Sequence, residues 1–240
     1  MKEQNSFLKG IKDGMPICIG YLSISFAFGI FACGNGLSVL QAVLMSMTNL
    51  TSAGQLAAVP IIASGGTIAE LILSQFVINL RYALMSVSLS QKLGKSVKGL
   101  DRFLIAFGNT DEIFAVSLSN EGTVGKRYFY GLMLMPYLGW STGTFLGATA
   151  GNILPHMVVS ALGIAIYGMF IAIVIPKART HRATALCVIL SVVLSCMFYY
   201  LPYLKSIPSG FTIIICAAVS SAVFAYFAPI NVGEEGEKDA

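Results

Sequence analysis

The stretch Thr48-Asn49-Leu50-Thr51-Ser52-Ala53-Gly54-Gln55 interrupts an apolar run with hydroxyls and amides, between "LQAVLMSM" and "LAAVPIIA". Of the 240 residues 56% are apolar and 11% are charged. An ordinary soluble domain carries about 25% charged residues, and so few charges cannot cover a water-facing surface. Apolar runs of about 18–25 residues match the length a helix needs to cross hydrocarbon. The alternation of a β-barrel strand is missing from runs such as "TALCVILSVVLSCMF". The lipid bilayer is therefore the expected surroundings, and the polar stretch must be buried in protein or line a wet cavity.

Eight apolar segments follow one another: Met15–Cys33, Leu40–Ala63, Thr67–Gln91, Phe103–Ser119, Tyr128–Thr149, Ile153–Ile175, Ala183–Leu201 and Ser209–Ala228. No long linker divides them. The expectation is one transmembrane domain over 15–229, an amphipathic cytoplasmic segment over 1–14 and a polar tail over 230–240. Basic residues cluster before the first segment (Lys2, Lys9, Lys12), after the third (Lys92, Lys95, Lys98, Arg102), after the fourth (Lys126, Arg127) and after the sixth (Lys177, Arg179, Arg182). Cytoplasmic loops are enriched in such residues. Eight full spans would put Lys92–Arg102 outside. The conflict disappears if Leu40–Ala63 enters and leaves on the outer side and Phe103–Ser119 on the inner side. The fold expected is all-α and polytopic, with about six full spans, two broken or re-entrant helices facing opposite ways, as in an inverted repeat, and both termini cytoplasmic. Eight full spans with one basic loop outside is the alternative. The net charge of +4 is spread over these clusters and is no nucleic-acid footprint.

The two segments singled out by charge are also the two with polar centres. Ser52 stands three residues before Gln55, the spacing of a capping box, and Gly54 lets a backbone or ligand approach closely. In "AFGNTDEIFAV", Asn109 precedes Glu112 by the same spacing, with Thr110 between and Asp111 in the first turn. Both read as helix N-termini at membrane depth; the plainer reading caps loops near the interface. Free N–H groups at such ends suit an anionic group such as an amino-acid carboxylate. Secondary transporters build midplane sites from discontinuous helices of this kind. Thr51, Ser52, Gly54, Gln55, Asn109 and Thr110 are thus candidate solute contacts. Asp111 and Glu112 are candidates for receiving an ammonium or carrying a proton.

The third segment holds Glu70, Gln75, Asn79 and Arg81. Asn79 joins the solute contacts. Charges within a span are functional candidates by default. Glu70 lies near an end. It shares a helix face with Arg81 but stands about 16 Å from it along the axis, so Arg81 needs another partner, and Asp111 or Glu112 is the obvious one. The plain alternative is snorkelling toward headgroups. Gly139, Gly143, Gly147 and Gly151 recur every four residues, a close-packing stripe for another helix or a partner subunit. The five cysteines lack metal or disulfide spacing, and His156 and His181 stand alone. No metal site, cofactor or enzyme signature is expected.

"DGMPICIGYLSISFAFGIFA", "TSAGQLAA", "NLRYALMSVSL" and "FGNTDEIFA" resemble, in this order and over about residues 10–176, the AzlC family of branched-chain amino-acid permeases. Tyr82 stands where that family often has histidine, and Leu56 where an aromatic is frequent. The resemblance implies a multi-pass cell-membrane subunit working with a small AzlD-type membrane protein. It also implies export of valine, leucine, isoleucine and related amino acids against proton entry. A passive pore and an accessory scaffold for a partner transport subunit are the other readings.

Overall fold

The computed structural model describes residues 6–120, 122–151, 154–155, 157–158, 161, 168, 171, 174–176 and 178–228. Most of the segment Ile153–Ile175, His156 and the tail 230–240 lie outside the described residues. Among those described, secondary structure is helical, apart from one parallel bridge between Leu93 and Val124.

The helices are α1 (Phe7–Gly34), α2 (Val39–Thr48), α3 (Ser52–Ala63), α4 (Ile68–Lys92), α5 (Gly99–Phe107), α6 (Asp111–Ser119), α7 (Lys126–Ala150), α8 (Arg182–Tyr200) and α9 (Ser209–Phe227). Four of them, α1, α4, α8 and α9, are long and apolar enough to cross a membrane. The protein is a polytopic helical membrane protein. Helix α1 begins ahead of the apolar segment that opens at Met15, because Ser6 accepts a hydrogen bond from the Lys9 amide at 3.2 Å and caps it.

Helices α1 and α7 run parallel as one plate. Gly131 abuts Phe7 and Ile11, Gly139 abuts Cys18, and Gly147 abuts Phe26, so contacts advance together along both chains. A Cβ at Gly139 would stand 2.6 Å from the Cys18 carbonyl oxygen, and one at Gly143 or Gly147 would overlap α1 backbone. Side-chain-free surface is what lets two helices approach this closely. Gly151 has only ordinary contact with Ile30.

The other described elements locate themselves against this plate. Call the end where α1 starts the basic end and the other the far end. Leu37 and Ala42 pack with Ala27, Phe28 and Ala32 near the far end. Leu50 packs with Tyr21 and Trp140, half-way along α1. Val59 is back among Ala27, Phe28 and Ala32. So α2 comes in from the far end, the chain turns at 49–51, and α3 returns to the same end. From the basic end, Val97 and Ile105 pack with Leu89, Tyr128 and Leu132. Thr110 reaches Tyr21, Ile113 is back in the same cluster, and Asn120 returns to Lys9 and Tyr128. Helices α5 and α6 thus form a second hairpin, entering from the opposite end. Helix α4 joins the two ends and flanks both hairpins.

This arrangement gathers the basic clusters. Lys9, Lys92, Lys126 and their neighbours sit at the basic end, tied by Lys9–Asp13 at 3.7 Å, Lys126–Asp101 at 3.5 Å, and the Gly94 amide donating to the Val124 carbonyl at 2.9 Å. Helix α8 ends at Ser195–Tyr199 beside Glu70 and Lys205 at the far end.

Candidate functional site

The tips of the two hairpins come to one level, between the α1–α7 plate and α4. Each tip is held from the plate by aromatic residues with a polar handle, and Tyr137 OH adds a bond to the Met47 carbonyl at 3.3 Å. Trp140 Nε1 donates to Gln55 Oε1 at 3.1 Å. Tyr21 OH donates to Thr110 Oγ1 at 2.7 Å and also meets Glu112 Oε2. The Trp140 and Tyr21 rings stack edge to face, with centroids 5.3 Å apart. Buried Trp and Tyr usually find a partner for their polar atom, and here those partners are the two polar centres.

At the first tip Gln55 is wholly buried. Its Nε2 donates to the Met45 carbonyl at 3.1 Å and to the Asn49 carbonyl. Met45 stands in the last turn of α2, where its carbonyl also accepts the Asn49 amide at 2.9 Å, and Asn49 is the residue that caps the helix. The expected capping box between Ser52 and Gln55 does not form. Thr51 is the N-cap and its side chain makes no capping bond. The reason is tertiary: the Gln55 amide closes the hairpin and meets Trp140 instead of reaching back to its own helix start. Asn49 Oδ1 takes both the Thr51 amide at 3.1 Å and the Thr51 hydroxyl at 2.6 Å, which tightens the turn. Gly54 lets α4 come close, since a Cβ there would lie 2.6 Å from Gln75 Oε1.

At the second tip Thr110, not Asn109, is the N-cap, accepting from the Ile113 amide at 3.5 Å. The expected Asn109–Glu112 box is replaced by outward partners. Asn109 Nδ2 donates to Ser86 Oγ on α4 at 3.3 Å, and Glu112 faces Tyr21. Asp111 makes a two-pronged ion pair with Arg81, Nη1 to Oδ1 and Nη2 to Oδ2 both at 2.8 Å. Arg81 Nη2 also donates to Tyr82 OH at 3.0 Å, and its guanidinium lies 4.7 Å from the Tyr82 ring centroid.

Helix α4 supplies the opposite wall. Gln75, Asn79, Tyr82 and Ser86 are three or four residues apart and share one face. Gln75 Nε2 donates to the Gly54 carbonyl at 2.9 Å, and Asn79 Nδ2 donates to Gln75 Oε1 at 3.2 Å. Two acceptors are left over: Asn79 Oδ1 and Asn109 Oδ1 are buried and make no hydrogen bond. A buried polar atom without a partner costs roughly 1–3 kcal/mol. A pair of them beside two helix N-termini is the arrangement a polar ligand would satisfy. Tyr21, Trp140 and Ser86 escaped the sequence reading. The signal for the aromatics was present, because the chain's single Trp sits within an apolar segment and its N–H needs an acceptor. Ser86 carries no such signal.

The sequence profile of the family described as AzlC protein matches residues 16–154. The chain belongs to the AzlC family. An uncharacterised membrane protein of Archaeoglobus fulgidus is 32% identical over 75% of this chain and 79% of its own length. The inner membrane protein YgaZ of Escherichia coli K12 is 29% identical over 76% of this chain and 77% of its own. The branched-chain amino acid transport protein AzlC of Bacillus subtilis 168 is 23% identical over 58% of this chain and 55% of its own. No solved structure matches the chain. The profile match contains both hairpin tips, all of α4 and the α1–α7 plate from Pro16 onward.

Proposed function

We propose that this AzlC-family chain is the large subunit of a cell-membrane exporter of branched-chain and other apolar amino acids. The observation that carries the reading is the pair of unpartnered buried acceptors, Asn79 Oδ1 and Asn109 Oδ1, beside two hairpin tips that meet half-way along α1. The solute's ammonium takes these acceptors. Its carboxylate faces the amide ends of α3 and α6, around Thr51, Ser52, Gly54 and Thr110, where partial positive charge collects. Gln55 holds the first tip in shape. The branched side chain of the solute lies against the apolar residues around the tips.

Net movement is outward and driven by proton entry. Asp111 and Glu112 carry the coupling, because each is held by a group that responds to its charge: Arg81 for Asp111 and Tyr21 for Glu112. Protonation of Asp111 would release Arg81 and loosen the second tip from α4. The basic end is cytoplasmic, since cytoplasmic loops collect Lys and Arg. A small AzlD-type membrane subunit completes the transporter. The substrate class draws support from the Bacillus subtilis relative, which is named as a branched-chain amino acid transport protein.

The test is a flux assay in proteoliposomes, with and without the small subunit. Labelled leucine should move against its gradient when protons run the other way. Asp111→Asn should reduce this by about tenfold or more, equal to about 1.4 kcal/mol, and abolish its pH dependence. Undiminished, pH-dependent flux in Asp111→Asn would remove the coupling role.

A further inference from the structure

The hairpin site leaves one buried carboxylate unused. Glu70, on the first turn of α4, is 2% exposed. Its Oε1 accepts from the Gly210 amide at 2.7 Å and so caps α9 from another element. Its second oxygen makes no hydrogen bond to a described residue, and the side chain lines a far-end cavity of about 740 Å³. That lies within the range of small-molecule sites, roughly 300–1,000 Å³. The walls are of three kinds. Glu70 brings negative charge, exposed Lys205 brings positive charge, and Phe198, Ile207 and Ile213 are apolar. Thr67 and Ser195 add hydroxyls.

We propose that this cavity is a second solute site, which binds the zwitterion of an apolar-tailed amino acid at the far end. Each alternative leaves one wall unmatched. A simple cation satisfies Glu70 but meets Lys205; a simple anion satisfies Lys205 but meets Glu70. A zwitterion answers both, with its ammonium on the second Glu70 oxygen, its carboxylate toward Lys205 and its side chain on the apolar wall. The inference rests on the amino-acid reading for its solute, yet it concerns residues that the hairpin site does not contain. It gives the solute a staging place between the hairpin tips and the far-end water.

The test is cysteine protection on the full chain in proteoliposomes. Ser195→Cys is labelled with a membrane-impermeant maleimide, and the unsubstituted chain gives the background. Leucine should slow labelling at millimolar concentration. At the same concentration 4-methylpentanoate, which lacks the ammonium, and 3-methylbutylamine, which lacks the carboxylate, should not. Glu70→Gln keeps an oxygen for the Gly210 amide but removes the charge, and should raise the half-protecting leucine concentration about tenfold. Lys205→Ala alters an exposed side chain and should weaken protection in the same direction. No protection by leucine while leucine still crosses the membrane would overturn this site and leave the transport reading standing. Equal protection in both variants would likewise overturn it. Protection without any flux would sustain the site and sink the exporter.

Discussion

Gln55 shows how much one side chain can fix. It donates to the Met45 carbonyl of α2 and the Asn49 carbonyl of the turn and accepts from Trp140, so it ties both arms of the first hairpin to the plate. Gln55→Leu keeps the bulk but leaves two polar groups, the Trp140 N–H and the Asn49 carbonyl, in an apolar interior. Each costs roughly 1–3 kcal/mol, and the variant should melt well below wild type in detergent, as tryptophan fluorescence would report. An unchanged melting temperature would mean that Gln55 is not the clasp. The sequence made this residue conspicuous, because an amide in an oily run must be satisfied somewhere. It did not reveal where. Ser52 offered a local partner at capping distance, and the partner the structure uses is 85 residues away in sequence. Arg81 was legible for the opposite reason, since a guanidinium at depth has few acceptors to choose from, and Asp111 and Glu112 were the carboxylates within a similarly embedded segment.

At the scale of elements, the glycine stripe and the two hairpins are separate devices. The stripe makes α1 and α7 a rigid plate. Gly147→Leu would drive a side chain into the Phe26 backbone, an overpacking that costs about 1–3 kcal/mol or more. Gly20 is a built-in control, because a Cβ there meets no atom within 4 Å. Gly147→Leu should lower thermal stability in detergent, and Gly20→Ala should not. Equal loss in both would mean that the stripe does not carry the packing. The stripe was readable from its four-residue spacing, but its partner was not: spacing says that something approaches closely, and only the folded chain shows that it is α1, running parallel. The hairpins were readable from charge. Lys92–Arg102 could join the other basic clusters on one side only if both polar-centred segments turned back.

For the whole molecule, that turning back makes a topological prediction. Ser38 and Ser64 flank the first hairpin, and Lys95 and Ser119 flank the second. Single cysteines at Ser38 and Ser64 should react with an impermeant maleimide from one face of the membrane, and those at Lys95 and Ser119 from the other. Labelling of Ser38→Cys and Ser64→Cys from opposite faces would make α2–α3 a full span and dismantle the arrangement. Glu70 was the least legible part of the whole. By position it reads as an interfacial residue, whereas the structure buries it, ties one oxygen to the Gly210 amide of α9 and sets its side chain in a cavity wall.

The proposed solute site lies where the two hairpin tips meet. The most direct measurement is a cryo-electron microscopy map of the full chain in nanodiscs at saturating leucine, compared with one lacking leucine. New density should touch Asn79, Asn109 and the 51–54 backbone, between the plate and α4. Bound leucine located only elsewhere, with the amide oxygens of Asn79 and Asn109 still facing protein alone, would contradict this placement.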